Sequence, residues 1–515
     1  MNNVEDSEPV NETLPAKTVS TNSDIISQRR LEKAAEKAEH QHKDLDGLSP
    51  ITDGSAAGPS KLAFLPRDLI KLPPDKDVSN SCVKAGKKRQ IKLMTWNMLA
   101  QALVRRSLFP GSDILKWKDR SPVLTQVLLH YLPDVACLQE VDKIEHHGPV
   151  LENAGYSYVY EIGYSTKLHG LCVAWKQQSF EKMEEKVIKL DDAELGERFE
   201  GEVGIRTGCS RITRNIGLFV ALRFTEEVSD DSPKGIIVVT HHLFWHARHI
   251  YERARQVAIL LREIEKFRNS NAKSLWKYWP CFFAGDFNVQ PSEATYRLIT
   301  GGELSTEQKE ELVLTAVVHS SCDDASRRKA QEMQLIDDAL LNMHIGQEGP
   351  SERESDGGVA EEYAQPEGDD DKVLKNTRPA RPSDGLLSLL DLSNAYEPWA
   401  GRITSAYGMH YGRLEGERGN VFGERDGILD ASMGEITEQR RRNGYYEPAY
   451  TNVTPLWRCT LDYIFVVPPL KAGVEVSVEV THLLRTHRVE TLEPGLPRRG
   501  KEPSDHMALM AQLEF

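Results

Sequence analysis

Apolar runs rich in β-branched residues recur from Ile91 to the C-terminus, and they constrain the fold more than any other feature of this sequence. Runs such as GLCVAWK (170–176) and CFFAGDFNV (281–289) are typical of buried β-strands. Amphipathic stretches such as residues 249–267 lie between them and favour helices. No repeat with a period of roughly 20–50 residues is present, which excludes a solenoid. We therefore predict mixed α and β structure, with sheets packed face to face and helices outside.

The composition of the chain changes before residue 88 and again between about 301 and 380. Residues 1–87 are polar and rich in Ser, Asn, Asp, Glu and Lys, so we predict that they are disordered. We predict one domain over 88–515, with a flexible surface insertion at about 301–380. Within this domain, Ser121-Pro122 predicts the start of a helix, with a capping Ser and a Pro at the first position.

The formal net charge of −14 would argue against nucleic acid as a partner if it were spread evenly over the chain, but most of it lies in one segment. The segment 348–371 holds ten acidic residues and one basic residue, and it therefore supplies −9 of that charge. The rest of the chain is mildly acidic, and a local basic groove is compatible with it. The acidic segment lies inside the predicted insertion and is typical of a solvated surface loop.

Cysteine usage and the N-terminal sequence bear on the compartment. Seven cysteines are spread singly, without a C-x-x-C pair, which indicates neither a zinc site nor a disulfide framework and fits a reducing compartment. The acidic N-terminus lacks the apolar stretch of a signal peptide, and no run reaches the ~20 apolar residues of a membrane span. We expect a protein of the cytoplasm, the nucleus or both, without a membrane partner.

Most of the predicted strands begin or end at a polar side chain that can bind a metal or move a proton. Taken singly, each of these residues has an ordinary interpretation as a loop, turn or core residue. Together they supply the oxygen ligands that Mg²⁺ prefers, a base, and neutral donors to phosphate oxygens, which attack on phosphorus requires. The residues are Asn97, Glu140, His242, Asp286, Asn288, Asp462, Asp505 and His506.

Six short motifs that contain these residues occur in the order used by the endonuclease/exonuclease/phosphatase superfamily. They are N-M-L-A (97–100), L-Q-E-V (138–141), H-L-F-W-H (242–246), G-D-F-N (285–288), L-D-Y-I-F (461–465) and S-D-H (504–506). The chain resembles the carbon-catabolite-repressor branch, which includes nocturnin, the Angel proteins and the fungal Ngl-type RNA exonucleases. The stretch TWNMLAQALVRRSLFP (95–110) is most similar to the Ngl group. The resemblance implies an α+β fold, a DNase I-like four-layer αββα sandwich, with the site at one end of two packed sheets.

The resemblance also implies a metal site within a single catalytic domain. Glu140 would be the main ligand of Mg²⁺, which Mn²⁺ can replace. Asn97 would support this ligand, and Asp505 would make a further contact with a metal. The motifs are compatible with one metal ion or with two.

The other motif residues would act on the phosphate. Asp286 would lie beside the scissile phosphate and align or activate the water, and Asn288 would donate to a phosphate oxygen. His506, oriented by Asp462, would be the base or an imidazole that stabilises the phosphate. His242 would hold a phosphate oxygen. Both Asp286 and His506 therefore stay candidates for the group that activates water.

Substrate contacts are predicted outside the catalytic residues. Relatives that trim poly(A) hold adenine between an aromatic ring and a proline, and the counterparts here are Trp457 and Ala247. Trp457 is either a base-stacking residue or part of the core, and the alanine argues against a strict adenine preference. Thr240 stands where the family usually has Asn. Three residues that could contact the RNA backbone, or be ordinary surface charges, are Lys167, His169 and Arg253.

The resemblance implies hydrolysis of single-stranded RNA in the 3′→5′ direction, as in 3′-end trimming, deadenylation or ribosomal RNA processing. One alternative is a phosphatase or phosphodiesterase of the same fold that acts on a nucleotide cofactor or a phospholipid headgroup. Another is an RNA-binding protein without catalysis, which would require the loss of a catalytic group. We expect a monomer that binds RNA, with any protein partner bound by the N-terminal tail or the acidic insertion.

Overall fold

Two mixed β-sheets form the centre of the structure, a computed structural model that describes residues 62–73, 88–195, 206–226, 233–270, 275–323, 374–429, 437–470 and 477–515. The strands are β1 (Leu69–Lys71), β2 (Gln90–Asn97), β3 (Val135–Val141), β4 (Tyr156–Glu161), β5 (Gly170–Lys176), β6 (Phe180–Lys189), β7 (Ile216–Phe224), β8 (Gly235–His241), β9 (Cys281–Asp286), β10 (Val317–His319), β11 (Thr377–Pro379), β12 (Thr404–Ser405), β13 (Asn452–Val453), β14 (Arg458–Cys459), β15 (Asp462–Val467), β16 (Glu479–Leu484) and β17 (Leu509–Glu514).

The α-helices are α1 (Trp117–Tyr131), α2 (Ile144–Asn153), α3 (Ile250–Arg268), α4 (Ala294–Thr300), α5 (Thr306–Leu314), α6 (Leu389–Tyr396), α7 (Ala406–His410), α8 (Phe422–Arg425), α9 (Glu438–Arg442) and α10 (Val489–Leu492). The longest of them, α3, carries charged side chains along its length. None of the described helices combines the length and the apolar composition that a membrane crossing requires.

The first sheet has seven strands in the order β1-β16-β17-β2-β3-β5-β4, and the second has six in the order β12-β15-β9-β8-β7-β6. Two further pairs, β10-β11 and β13-β14, are short antiparallel ribbons. Within the first sheet β2 and β3 run parallel, and within the second β8 and β9 run parallel. The carboxyl ends of each parallel pair therefore lie at the same edge of their sheet.

The inner faces of the two sheets share one apolar layer. Leu93 of β2 and Val135 of β3 belong to the same buried cluster as Leu218, Val238 and Phe282 of the second sheet. This packing buries one face of every strand concerned, which explains why the runs are rich in branched apolar residues.

Helices cover the outer face of each sheet. Trp96 points away from Leu93 along β2, because side chains alternate in a strand, and it packs with Val127 of α1. On the second sheet, Phe283 of β9 packs with Leu260 of α3. The predicted four-layer αββα sandwich is confirmed.

The domain begins earlier than the sequence predicts. The structure describes residues 62–73, inside the region assigned to disorder, and β1 pairs there with β16. Arg67 is buried, its Nε lies 3.2 Å from Glu502, and it donates to the backbone oxygen of Ala508 (2.8 Å). A three-residue strand has too little periodicity to stand out from a polar tail, so the boundary at 88 was wrong for this segment. Residues 1–61 lie outside the described residues.

The predicted insertion at about 301–380 is structured at both of its ends, which the prediction of a flexible segment missed. Helix α5 begins with a capping box in which Ser305 and Gln308 each satisfy the other's backbone amide. Near the other end, β11 pairs with β10. Residues 324–373, which include the acidic segment, lie outside the described residues.

Helix α1 begins at Trp117, so the predicted start at Ser121-Pro122 is wrong and Pro122 lies inside the helix. The Trp117 ring makes edge contacts with His146 and His147, at centroid distances of 5.3 and 5.6 Å. Tertiary packing of this kind extends a helix beyond the residues that its local signals favour.

The buried ion pair of Arg67 gives a test of the corrected boundary. Arg67→Ala should lower the free energy of unfolding by about 3 kcal/mol, because it leaves the buried Glu502 carboxylate with only His487, whose Nε2 lies 3.3 Å away. Urea unfolding of the full chain measures this change. The control is Lys71→Ala in the same segment, where the side chain is exposed. Equal and small effects of the two substitutions would place Arg67 outside the folded domain.

Candidate active site

Backbone pairing brings the polar ends of several strands to one edge of the sandwich. Asn97 ends β2 and Glu140 lies near the end of the parallel strand β3. In the second sheet, Asp286 at the end of β9 is opposite Asp462 at the start of β15. His242 follows β8 directly and forms a parallel backbone bridge with Asp286. The fold therefore brings together the residues that the sequence analysis selected.

Asp286 is the point at which these side chains meet. Its Oδ2 accepts a hydrogen bond from Asn97 Nδ2 (3.0 Å) and lies 3.5 Å from His242 Nε2 and 3.7 Å from His506 Nε2. Its Oδ1 accepts from the backbone amide of Asn288 (2.9 Å). The side chain is 1% exposed, and a carboxylate that has lost its water requires partners of this kind.

Glu140 lies in a β-bulge. The register between β3 and β5 shifts between Leu138 and Val141, and the φ angle of Glu140 is 55°. The Glu140 carboxylate accepts hydrogen bonds from Asn97 Nδ2 (3.0 Å) and from the backbone amide of Ala100 (2.9 Å). Left-handed backbone is costly for a glutamate, and bulges redirect side chains beside active sites. The bulge therefore directs the Glu140 carboxylate towards Asn97 and the other residues of the site.

His506 and Asp462 form a buried pair. His506 Nδ1 lies 2.8 Å from Asp462 Oδ2, which directs Nε2 towards Asp286. The backbone amide of Asp462 donates to Thr451 Oγ1 (3.1 Å), and the backbone of Asn452 bridges to that of His506. Both members of the pair are thus anchored through the main chain as well as through each other.

The surroundings shift the pKa values of His506 and Asp286 in the same direction. Burial alone would lower the pKa of His506, but the carboxylates of Asp462, Asp286 and Asp505 raise it well above its usual value. Burial raises the pKa of Asp286, although His506 and His242 oppose this shift. The surrounding carboxylates therefore favour the positively charged form of His506, and Asp286 holds a proton more readily than an ordinary aspartate.

The opposite shift at Glu140 keeps it ionised. Burial would raise the pKa of its carboxyl, but His242 and His169, with the hydrogen bonds above, outweigh burial and lower it. Burial also lowers the pKa of His169 to about 4. The charges of Lys167 and His242 lower this pKa as well, whereas the Glu140 carboxylate opposes the shift. Glu140 is therefore an anion at neutral pH, which is the form in which a carboxylate binds a metal ion.

Asp505 enters the site from the loop before β17. Its Oδ2 accepts from Asn452 Nδ2 (3.1 Å), and the neighbouring Ser504 Oγ donates to the backbone oxygen of Asn97 (2.7 Å). Burial raises the pKa of Asp505, and the negative charge of Glu140 adds to that rise although His506 opposes it. Two carboxylates that repel each other are stabilised by a divalent cation, and oxygen donors suit a hard cation.

Groups of ligand atoms close enough to share one metal ion occur at two places in the described part of the chain. In one of them, Arg255 lies 2.7 Å from Glu252, and Thr213 donates to Asp191 through its amide and its hydroxyl, so these carboxylates are already satisfied. The other place is the site at the strand ends. The two groups are Asp191/Cys209/Glu252 and Asp286/Asp462/His506.

Two further residues fix the strand end that carries His242. Asn288, at a φ of 50°, donates through Nδ2 to the backbone oxygen of Leu243 (3.0 Å) and retains a second amide hydrogen. Thr240 is fully buried, and its Oγ1 accepts from Gln139 Nε2 (3.0 Å). This hydrogen bond joins the two sheets behind the site, so threonine at the family's usual Asn position still links them.

Arg120, which none of the six motifs contains, holds two loops of the site together. The side chain is fully buried, and it donates to the backbone oxygens of Met98 (2.7 Å), Leu99 (2.6 Å) and Pro503 (2.8 Å). It therefore fixes the loop after β2 against the loop that carries Asp505. The sequence signal that could have revealed Arg120 was a charged residue on the apolar face of a helix, because a residue of this type is rarely buried without a partner.

Trp457 is not part of the core, which was one of its two sequence-based interpretations. The side chain is 38% exposed in the turn between β13 and β14, where its amide donates to Thr454 Oγ1 (2.9 Å). An exposed indole on a tight turn presents a ring surface to solvent. Of the two interpretations, base stacking is the one that this exposed location allows.

Lys167 and His169 lie beside His242. The three residues line a small pocket of about 30 Å³, and the ring centroids of His169 and His242 are 6.2 Å apart. Both Lys167 and His169 are partly exposed. The pocket therefore adjoins the histidine that approaches Asp286.

The prediction that Arg253 contacts a phosphate backbone is wrong. Its side chain is fully buried on α3, lies 2.6 Å from Glu293, and donates to the backbone oxygen of Ala247 (2.8 Å). Arg253 therefore supports the loop that follows His242 instead of reaching a substrate. Proximity in sequence to a motif did not reveal which face of α3 this residue occupies.

Comparison with known proteins extends these observations. The sequence profile of the Endonuclease/Exonuclease/phosphatase family matches residues 94–506, a span that contains all six motifs. Probable RNA exonuclease C9B6.11c of Schizosaccharomyces pombe is 29% identical over 506 residues, which is 95% of this chain and 86% of that protein. RNA exonuclease NGL2 of Saccharomyces cerevisiae is 29% identical over 488 residues, which is 89% of this chain and 83% of that protein.

Among solved structures, that of ANGEL2, a 2′,3′-cyclic phosphatase, in complex with adenosine-2′,3′-vanadate, superimposes with a TM-score of 0.51. The alignment covers 88% of this chain and 99% of that chain at 19% identity. A likeness at this identity shows a shared fold, and it agrees with the four layers described above.

The two central carboxylates provide the direct test of the site. Glu140→Ala or Asp286→Ala should reduce phosphodiester hydrolysis by at least about 10²–10³-fold, because the first removes a candidate metal ligand and the second removes the carboxylate on which Asn97, His242 and His506 converge. Initial rates on end-labelled RNA measure the loss, and thermal unfolding of each variant checks that the fold is retained. Wild-type turnover by either folded variant would contradict this assignment of the site.

Proposed function

The chain belongs to the endonuclease/exonuclease/phosphatase family, and from this membership we propose that it is a Mg²⁺-dependent exoribonuclease. It would cut single-stranded RNA from the 3′ end and release 5′-mononucleotides. The observation that carries the proposal is the convergence of Asn97, His242 and His506 on the buried carboxylate of Asp286. Every group that the reaction requires is present, which argues against a binding protein without activity.

RNA as the substrate is supported by the relatives. The two fungal proteins that align along almost the whole chain are named RNA exonucleases, whereas the cyclic phosphatase shares the fold at lower identity. Single-stranded RNA also suits the exposed Trp457, since bases stack on aromatic side chains. Ala247, where poly(A)-trimming relatives have proline, would relax the preference for adenine.

Glu140 and Asp505 are the residues that would hold Mg²⁺, with the Asn97 amide fixing the Glu140 carboxylate. In this arrangement the Asn97 oxygen accepts from the backbone amide of Leu99 (3.0 Å), so the amide acts as a bridge. When bound, the metal ion would neutralise charge on a phosphate oxygen and on the leaving oxygen. Mn²⁺ has similar ligand preferences and would replace it.

The side chains supply the remaining chemistry. Asp286 would take the proton of the attacking water, because burial raises the pKa of its carboxyl towards the range of a general base. His506, kept positive by Asp462, would stabilise the negative charge that develops on the phosphate. His242 and the free amide hydrogen of Asn288 would donate to the phosphate oxygens.

A panel of labelled substrates tests the proposal. The purified protein and Mg²⁺ are incubated with RNA ending in a 3′-hydroxyl, the same RNA ending in a 2′,3′-cyclic phosphate, single-stranded DNA and a nucleotide cofactor. We expect stepwise shortening of the 3′-hydroxyl RNA to 5′-mononucleotides, and no product after EDTA treatment. Loss of a terminal or cofactor phosphate without shortening of the RNA would contradict the nuclease proposal and favour the phosphatase.

The same panel includes Trp457→Ala as the test of base stacking. Its KM for RNA should rise about tenfold, because stacking contributes ~1–3 kcal/mol per base, while the Mg²⁺ requirement stays unchanged. The matched control is Tyr278→Ala, an exposed aromatic residue that precedes β9 at the end remote from Asp286. An unchanged KM in the Trp457 variant would remove this residue from the substrate site.

A further inference from the structure

We propose that Arg214, together with Lys167 and His169, forms a second phosphate subsite beside His242. This inference rests on the proposed function and specifies how the substrate is held. An RNA that is cut at its 3′ end has further phosphates only on the 5′ side of the scissile bond. The subsite would therefore bind the next phosphate on that side.

The location of the pocket supports this assignment. Lys167, His169, Arg214 and His242 all line the same small open pocket. His242 is one of these lining residues and also approaches Asp286, with 3.5 Å between His242 Nε2 and Asp286 Oδ2. A group bound in the pocket would thus be separated from the reacting phosphate by one imidazole ring.

The backbone at Arg214 adopts a conformation that is costly for a residue other than glycine. Its φ angle is 55°, in the left-handed region that favours glycine. The buried carboxylate of Asp191 enforces this turn, because it accepts from the amide of Arg214 (2.6 Å) and from the amide (3.0 Å) and hydroxyl (2.8 Å) of Thr213. Strained residues of this kind cluster at ligand sites.

Arg214 also has the charge and accessibility of a phosphate contact. It is exposed, and among the described residues no carboxylate forms an ion pair with its guanidinium. The chain as a whole carries a formal net charge of −14, so composition alone does not place cations here. A guanidinium and an ammonium around one pocket are suited to an anion, and RNA presents a phosphate at every step.

Two substitutions at this position separate the side chain from the backbone. Arg214→Gly removes the guanidinium and at the same time relieves the left-handed turn, so the folded state should not be weakened. Arg214→Lys keeps a positive charge in the pocket. The control, Arg223→Ala, removes an exposed arginine at the opposite end of β7, where it pairs with Glu181.

The experiment compares a short single-stranded RNA with a dinucleoside monophosphate, which has only the scissile phosphate. For the short RNA, Arg214→Gly should raise KM about tenfold with kcat within about twofold, and Arg214→Lys should restore most of the loss. The slope of log affinity against log salt should become shallower by about 0.7, the value for one contact with a single strand. For the dinucleoside monophosphate, and for Arg223→Ala with either substrate, the kinetic constants should not change.

Three outcomes would overturn the subsite. These are an unchanged KM and salt slope in Arg214→Gly, an equal loss with both substrates, or an equal loss in Arg223→Ala. Binding of a fluorescent single-stranded RNA in EDTA, followed by anisotropy, tests the subsite independently of hydrolysis. Weaker binding by Arg214→Gly together with no RNA cleavage by the wild type would sustain the subsite and contradict the exoribonuclease.

Discussion

The burial of the Asp286 carboxylate is the constraint on which the rest of the site depends. Removing such a group from water costs several kcal/mol unless partners compensate it. Its partners Asn97, His242 and His506 come from three separate parts of the chain. They reach it only when both sheets have formed in the correct register, so completion of the sandwich and assembly of the site are one event. This coupling explains why the polar residues lie at strand ends rather than on longer loops.

Backbone strain is concentrated around the same carboxylate. Leu99, Glu140 and Asn288 are non-glycine residues with positive φ, and each follows or ends a strand that leads into the site. Such conformations cost of order 1–3 kcal/mol each and persist because the surrounding packing fixes them. The buried layers of the two sheets provide that packing. The site therefore holds its donors and charges in place before a substrate binds, which is the condition for electrostatic stabilisation of a transition state.

The sequence predicts the features that depend on neighbouring residues, and it does not predict those that depend on contacts between distant parts of the chain. Strands are visible in composition, and parallel neighbours place their carboxyl ends together, so Glu140 and Asp286 could be predicted. The error at Arg253 arose because proximity to a motif says nothing about the buried face of a helix. Arg120 was missed because its partners are backbone oxygens from distant loops, and the strain at Arg214 depends on a carboxylate that tertiary folding supplies. The early strand β1 escaped detection because three residues carry too little periodicity, and its pairing partner is more than four hundred residues away.

Anomalous diffraction from crystals soaked with Mn²⁺ tests most directly whether these chain segments surround a metal-dependent phosphoryl site. The account predicts an anomalous peak about 2.1 Å from a carboxylate oxygen of Glu140, on the side that faces Asp505, since these are the two residues proposed to hold the metal. A peak confined to the group that contains Asp191 and Glu252, with none at Glu140, would contradict it.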